Sequence, residues 1–276
     1  MNPRIGEKIA KIFIWIAVLI VLVILMAILA DVLIKGLPTI DWNFLTDIPR
    51  EMGSEGGVAF TIIGTLLVTA VAIIIATPFG IGTAFYLAEY TRESIITKII
   101  RFSAESLAGI PSIIYGLFGF IFFVDYLQLG WSVLSGGLTL AVMVLPTIIR
   151  TSEEAIKTVP NIYREVSFSL GGTKWQTIFK VVFPSAIRGI TNGIILSVGR
   201  SVAETAAVIL TAGSVLRMPN SLFSPSRTMA VHFYLLVTEG ISEKNAYGTA
   251  ALLVILIFLI NVVANILINK FVAKGR

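Results

Sequence analysis

Long apolar runs separated by short polar segments dominate the chain. The first covers residues 12–30 without interruption, and the others fall at about 58–89, 99–124, 132–149, 185–212 and 246–269. A helix of about 20 apolar residues crosses the roughly 30 Å hydrocarbon core of a bilayer. The pattern therefore predicts an all-α membrane protein with six transmembrane helices. Pro78, Pro111 and Pro146 fall inside these runs, where we expect kinks rather than helix ends.

The positive charges of the polar segments favour one side of the membrane. Fifteen of the 21 Lys and Arg residues lie in four segments: before run one, between runs two and three, between runs four and five, and after run six. Five lie in the opposite segments, and Arg200 lies inside a run. Because cytoplasmic loops are enriched in Lys and Arg, we expect both termini in the cytoplasm and the segments 36–57 and 214–245 outside.

Composition supports a membrane protein and narrows its chemistry. Hydrophobic residues make up 56% and charged residues 13% of the chain, against about 25% charge in a soluble domain. The chain has no cysteine and a single histidine, His232, which we expect in an external loop or at the membrane edge. We therefore expect no metal or other cofactor in this chain. Asp31 follows the first run directly, which indicates a retained helix rather than a cleaved signal peptide.

The segment between runs four and five, residues 150–188, is long enough to have structure of its own. Ile162, Val166 and Leu170 follow at helical spacing and predict a short amphipathic helix over residues 161–170. Glycines at 171 and 172 can end this helix, and Thr173 with Gln176 forms the capping-box pattern that begins the next. A helix–turn–helix with an exposed apolar face needs a partner, either lipid or a groove on another protein.

Three residues of this segment resemble a known motif. Glu165, Gly171 and Pro184 have the spacing of the EAA loop of ABC importer permeases, which reads Glu-Ala-Ala, three residues, Gly, nine residues and Ile-x-Leu-Pro. The chain has Val-Ser in place of the two alanines and Val and Phe in place of Ile and Leu, which keeps the apolar face. The resemblance implies that the loop docks on a separate ATPase, and the chain has no phosphate-binding loop of its own.

Three further segments resemble phosphate permeases, and the set is most similar to the PstA type. They are 80–90 (GIGTAFYLAEY), 107–119 (LAGIPSIIYGLFG) and 145–155 (LPTIIRTSEEA). The resemblance implies a type I, MetI-like permease in the inner (plasma) membrane, with phosphate as its solute. It further implies two copies of a PstB-like ATPase that bind ATP and Mg, a second, PstC-like permease, and a PstS-like phosphate-binding protein.

Two charged residues inside the fifth run are the main candidates for the solute path. Arg200 and Glu204 are four residues apart, which would put them on one face of a continuous helix. A charge inside a span is costly and usually faces a polar pathway or a partner, and the planar guanidinium suits phosphate oxygens. A structural ion pair between helices is the alternative. Glu105, Ser112 and Tyr115 are weaker candidates for the same path.

Two domains and three rival functions complete the predictions. We expect an N-terminal helix with its external loop over residues 1–57 and a core permease domain over 58–276. Arg200 would equally suit another oxyanion, such as sulfate or molybdate. A secondary transporter would need no ATPase, and a membrane enzyme would need a cluster of catalytic groups that the sequence does not contain.

Overall fold

The computed structural model describes residues 3–92 and 94–274, which form helices joined by connections of varied length. The helices are α1 (Pro3–Gly36), α2 (Trp42–Thr46), α3 (Ala59–Phe85), α4 (Ile95–Ala108), α5 (Ser112–Gly119), α6 (Val133–Lys157), α7 (Asn161–Ser169), α8 (Lys174–Thr177), α9 (Phe183–Val202), α10 (Ala206–Thr211), α11 (Met229–Thr238) and α12 (Glu243–Lys274). π-Helical turns extend α3 through Tyr86–Tyr90, α5 through Phe120–Tyr126 and α8 through Ile178–Val182. Arg276, the last of the predicted cytoplasmic charges, lies outside the described residues.

Five helical stretches of the described chain are long and apolar enough to cross a membrane, and a sixth span exists if one bent pair is counted. The five are Lys11–Thr39, Ala59–Tyr90, Val133–Lys157, Lys174–Val202 and Glu243–Ile266, and the bent pair is Ile95–Ala108 with Ser112–Tyr126. The predicted all-α architecture is therefore confirmed.

The core of the bundle is the parallel packing of α3 and α6. Gly80 of α3 lies directly against Ile148, and Gly137 of α6 lies against Val71, so that a side chain at either glycine would collide with its neighbour. Around this contact lies a cluster of fully buried residues that includes Val68, Leu140, Met143, Val144 and Ile148. Interfaces with small residues are how membrane helices approach closely.

The helix α9 packs on α6 in the opposite direction. Gly193 lies against Thr151 and Gly189 against Ala155, so the register between the two helices is antiparallel. When this register is extended, Arg200 comes level with Val144, which is the middle of the 25-residue α6. This places the last turn of α9 deep within the membrane.

The third predicted span is broken rather than continuous, and the expectation that Pro111 kinks a helix is wrong. α4 ends at Ala108, Pro111 precedes α5, and the two helices differ in direction by 101°. Proline lacks an N–H and disfavours helical geometry in the residue before it, which ends α4 here. Tyr115 stabilises the corner by donating its hydroxyl hydrogen to the Leu107 carbonyl at 2.7 Å. Pro78 and Pro146, in contrast, lie within helices that continue.

The predicted external segment 214–245 contains a helix that the apolar runs did not indicate. α11 is short, and Thr228 caps its N-terminus. His232 is 1% exposed, so the prediction of a loop or membrane-edge residue is wrong. Its ring lies against Gly53 and beside the Arg227 guanidinium, which also donates to the Ser214 carbonyl at 2.6 Å. These contacts join the two external segments to each other.

Candidate functional site

The helix–turn–helix predicted from the sequence is present between α6 and α9. Gly171 follows α7 with a φ of +78°, the left-handed conformation that ends a helix and favours glycine. The capping box is complete, because Thr173 N–H donates to Gln176 Oε1 at 2.9 Å and Gln176 N–H donates to Thr173 Oγ1 at 3.3 Å. Pro184 lies in the first turn of α9, where a proline is tolerated. We call residues 161–184 the coupling segment.

The outer face of the coupling segment is apolar and exposed. Ile162, Val166 and Leu170 are 56%, 51% and 84% exposed. Trp175 and Phe179 extend this surface, with ring centroids 4.1 Å apart. Glu165 is exposed on the same helix, and no described residue forms an ion pair with it. An exposed surface of this kind, on the side that the charge pattern assigns to the cytoplasm, fits a protein partner.

The inner face of α7 is held by Arg164, which the sequence analysis did not single out. Its guanidinium forms five hydrogen bonds. They go to Glu89 Oε1 from Nε at 3.0 Å and from Nη2 at 2.6 Å, to the Val159 carbonyl at 2.8 Å, to the Ile156 carbonyl at 3.1 Å and to Asn161 Oδ1 at 3.3 Å. The Arg164 and Glu89 side chains are only 16% and 9% exposed. Because the two residues are far apart in sequence, no local pattern predicts this contact.

A second apolar cluster lies beneath the coupling segment. It combines Ala84 and Phe85 of α3, Ile156 of α6, and Ile178 and Val182 of the π-helical turn before α9, with further members from α9 itself. Phe85 and Phe183 contribute an aromatic pair with ring centroids 5.9 Å apart. The coupling segment therefore rests on the ends of the same helices that form the core.

Arg200 is half-buried in the last turn of α9, in the middle of the membrane. Among the described residues, none forms a hydrogen bond or an ion pair with its side chain. The carbonyl end of a helix favours a nearby cation, which offsets part of the cost of this charge.

Glu204 does not share a helix face with Arg200, so that expectation is wrong. α9 ends at Val202, and Glu204 lies in the break before α10. Its carboxylate accepts a hydrogen bond from the Ala207 N–H at 3.3 Å, in the first turn of α10. The fifth predicted span is therefore interrupted here.

The weaker candidates lie in two places. Gly116 of α5 packs against Ala207 of α10. Further along both helices, Trp131 contacts Phe120 and donates to the Leu210 carbonyl. The two helices therefore run parallel. Ser112 is therefore level with the start of α10, at the half-buried first residue of α5, and its hydroxyl forms no hydrogen bond within the described residues. The hydroxyl of Tyr115, in contrast, is occupied by the bond to Leu107.

Glu105 lies apart from these residues, on the cytoplasmic side. It forms an ion pair with Arg150 at 3.1 Å at the edge of a cavity of about 170 Å³. Glu153, also on this cavity, accepts from Arg101 and lies 2.7 Å from Lys157. Three positive and three negative side chains line the cavity. Within the described residues, no group of three or more His, Cys, Asp or Glu side chains could hold a metal ion.

Comparison with known families and proteins identifies the type of molecule. The family described as "Binding-protein-dependent transport system inner membrane component" matches residues 76–275. The chain is 31% identical to the probable ABC transporter permease protein YqgI of Bacillus subtilis, over 96% of this chain and 95% of that protein. It is 32% identical to the phosphate transport system permease protein PstA of Pasteurella multocida, over 87% and 86% of the two chains.

Solved structures of low sequence identity share the fold. A chain of a bacterial alginate ABC transporter superposes with a TM-score of 0.67 at 14% identity, over 96% of this chain and 97% of that one. A chain of the inward-facing MetNI methionine ABC transporter gives a TM-score of 0.64 at 20% identity, over 76% and 94%. The likeness confirms the ABC importer permease architecture predicted from the sequence.

Proposed function

Because the chain belongs to the binding-protein-dependent transport system inner membrane component family, we propose that it is the PstA-type permease subunit of an ATP-driven importer of inorganic phosphate. It is a multi-pass inner-membrane permease of an ABC importer and not the ATPase. We further propose that residues 1–57 form an N-terminal unit and residues 58–276 the core of the permease.

One observation carries the choice of an anionic solute: the Arg200 guanidinium lies in the middle of the membrane without a hydrogen-bonding or ion-pair partner among the described residues. A buried cation costs several kcal/mol unless something compensates it. A guanidinium presents a planar set of donors that matches phosphate oxygens. An anion that passes Arg200 would supply the missing partner.

The surroundings of Arg200 favour the same chemistry. Ser112 offers a free hydroxyl at the first residue of α5, and the N-terminal N–H groups of a helix attract negative charge. Broken helices that meet in the middle of the membrane are a recurrent way to build solute sites. Relatives named as phosphate transport permeases, including PstA of Mycobacterium leprae at 33% identity over 95% of this chain, support phosphate as the specific anion.

The importer would contain partner proteins on the cytoplasmic side and on the external side of the membrane. An ABC importer permease assembles with an ATPase and a binding protein. We propose that two PstB-like ATPases bind ATP and Mg on the cytoplasmic side, with Glu165, Gly171 and Pro184 positioning the contact. A PstC-like permease would complete the solute path, and a PstS-like protein would deliver phosphate outside. Glu204 and Glu105 would belong to this path in a supporting role.

The test is uptake of radiolabelled phosphate into liposomes that contain the purified complex and its binding protein. We expect ATP-dependent uptake that excess sulfate and molybdate do not reduce. Arg200→Gln should abolish uptake without changing the amount of assembled complex, while Arg188→Gln, an exposed arginine on the same helix, should have no effect.

Three results would contradict the proposal. Full uptake by the Arg200→Gln variant would remove Arg200 from the path. Competition by sulfate or molybdate would indicate another oxyanion as the solute. Uptake in liposomes that lack the ATPase would indicate a secondary transporter.

A further inference from the structure

We propose that the buried ion pair between Arg164 and Glu89 joins the coupling segment to α3 and α6, so that the three move as one rigid unit during ATP-driven transport. The inference rests on the proposed role of the coupling segment as the contact with the ATPase. It assigns to Arg164 and Glu89 a positioning function rather than a contact with solute or nucleotide.

The first argument is that the hydrogen-bonding capacity of Arg164 is fully used. A guanidinium has five N–H donors, and five hydrogen bonds leave it. Two of them reach the Glu89 carboxylate at the end of α3 and two reach carbonyls at the end of α6. A single side chain of α7 therefore holds the ends of two core helices at once.

The second argument is burial. With 16% and 9% exposure, the Arg164 and Glu89 side chains are largely withdrawn from water. Salt screens exposed ion pairs strongly but buried pairs much less, and a buried charge that loses its partner is costly. Separation of α7 from α3 is therefore strongly disfavoured, which is what a link that transmits force requires.

The third argument is that the link ends on the core of the bundle. α3 and α6 pack against each other along their length through Gly80 and Gly137, so displacement of their cytoplasmic ends moves the tightly packed pair together. α9, which presents Arg200 in its last turn, packs on α6 through Gly189 and Gly193. A continuous path of packed elements therefore leads from α7 to the middle of the membrane.

A peripheral contact supports the same unit. The Lys174 ammonium lies over the Tyr90 ring, 4.6 Å from its centroid, so α8 also contacts the end of α3. Tyr90 is 48% exposed. A cation–π contact at an exposed site is weak, about 0.5–1 kcal/mol. We therefore assign the link to Arg164 and Glu89 and not to Lys174.

The experiment measures coupling and rigidity separately. In the liposome system, we expect Glu89→Gln to lower the number of phosphate ions imported per ATP hydrolysed by about tenfold, because a charged hydrogen-bond partner is lost. The amount of assembled complex and the rate of ATP hydrolysis should stay unchanged. Arg164→Lys keeps the charge but has three donors in place of five. Its ratio of phosphate imported to ATP hydrolysed should therefore fall between those of the wild type and Glu89→Gln. Glu89→Asp keeps the carboxylate and should keep most of the wild-type ratio.

Spin labels give a readout that does not depend on the solute. The chain contains no cysteine, so Ser169→Cys on α7 and Tyr86→Cys at the end of α3, both exposed, can be labelled specifically before assembly with the ATPase. We expect one narrow distance distribution in the nucleotide-free and ATP-bound complexes. Glu89→Gln should broaden it, whereas the control Glu154→Gln, which alters an exposed ion pair with Arg150, should not.

The outcomes separate this inference from the proposed function. An unchanged ratio and an unchanged distance distribution in Glu89→Gln would overturn the inference. A parallel fall of assembled complex, ATP hydrolysis and uptake would also overturn it, because the pair would then serve only folding. The wild-type complex could import no phosphate while Glu89→Gln still broadened the spin-label distance distribution. In that case phosphate would be excluded as the solute, and the inferred link between α7 and α3 would remain supported.

Discussion

Two arginines in different regions of the molecule show how differently a cation that is at least partly withdrawn from water can be used. Arg164, beneath the coupling segment, donates all five of its N–H groups and faces the Glu89 carboxylate. Arg200, in the middle of the membrane, has no hydrogen-bonding or ion-pair partner among the described residues. The sequence gives both the same charge, and only the fold distinguishes their surroundings.

The difference has a physical meaning. A fully bonded cation fixes the elements around it, because any movement breaks several bonds at once. A cation without a partner contributes little to the fold and keeps its donors for a ligand. We therefore expect substitutions of Arg164 to affect structure and coupling, and substitutions of Arg200 to affect the solute.

The largest expected effect is on stability. Arg164→Met leaves Glu89 buried and unpaired and removes the donors to the end of α6, which should cost about 3–5 kcal/mol of unfolding free energy. Arg200→Met removes a charge that no described partner compensates, and should leave stability unchanged or raised. Thermal unfolding of the two variants in detergent measures the difference. Equal losses would mean that Arg200 has a structural partner after all.

The next effect concerns solute recognition. Arg200→Lys keeps a positive charge but loses the planar fork, so a bidentate contact with the anion becomes a single one. We expect the apparent KM for phosphate uptake to rise about tenfold, which corresponds to about 1.4 kcal/mol. Initial uptake rates over a range of phosphate concentrations measure it. An unchanged KM would indicate that Arg200 provides only charge.

The features that could be predicted from sequence are those set by local rules. The bilayer fixes the length of an apolar run, so most of the spans were evident. The turn of the coupling segment was also evident, because Gly171 and the Thr173–Gln176 capping box determine the conformation of only the few residues around them. Neither needs information about distant parts of the chain.

Apart from the break at Pro111, the features that sequence reasoning missed depend on contacts between distant segments. The break before α10 involves Gly116 of α5 packed against Ala207, and α11 is stable although short because its neighbours bury it. The partner of Arg164 is 75 residues away. A charge in an amphipathic helix normally indicates a solvated face, so nothing in the local pattern marked Arg164 as buried.

A smaller effect distinguishes the two roles available to Glu204. As the acceptor for the Ala207 N–H in the first turn of α10, it can be replaced by Gln, which keeps an acceptor, whereas Glu204→Ala should lower stability by about 1 kcal/mol. If the carboxylate also belongs to the solute path, both variants should reduce phosphate uptake. Uptake and thermal unfolding of the pair measure the two roles. Wild-type uptake by Glu204→Gln would limit Glu204 to this structural hydrogen bond.

The smallest expected change in stability lies on the outer face of the coupling segment, opposite Arg164. Leu170 is 84% exposed, so Leu170→Ser should change the unfolding free energy by no more than about 0.5 kcal/mol. The variant should nevertheless retain less ATPase during purification, because the exposed leucine would fill a groove on that partner. Leu127→Ser, at an exposed position on the external side, is the matched control and should retain the ATPase fully. If both variants kept the ATPase, the outer face of α7 would not be the contact with that partner, and the distinction between a bonded inner face and a free outer face would no longer hold.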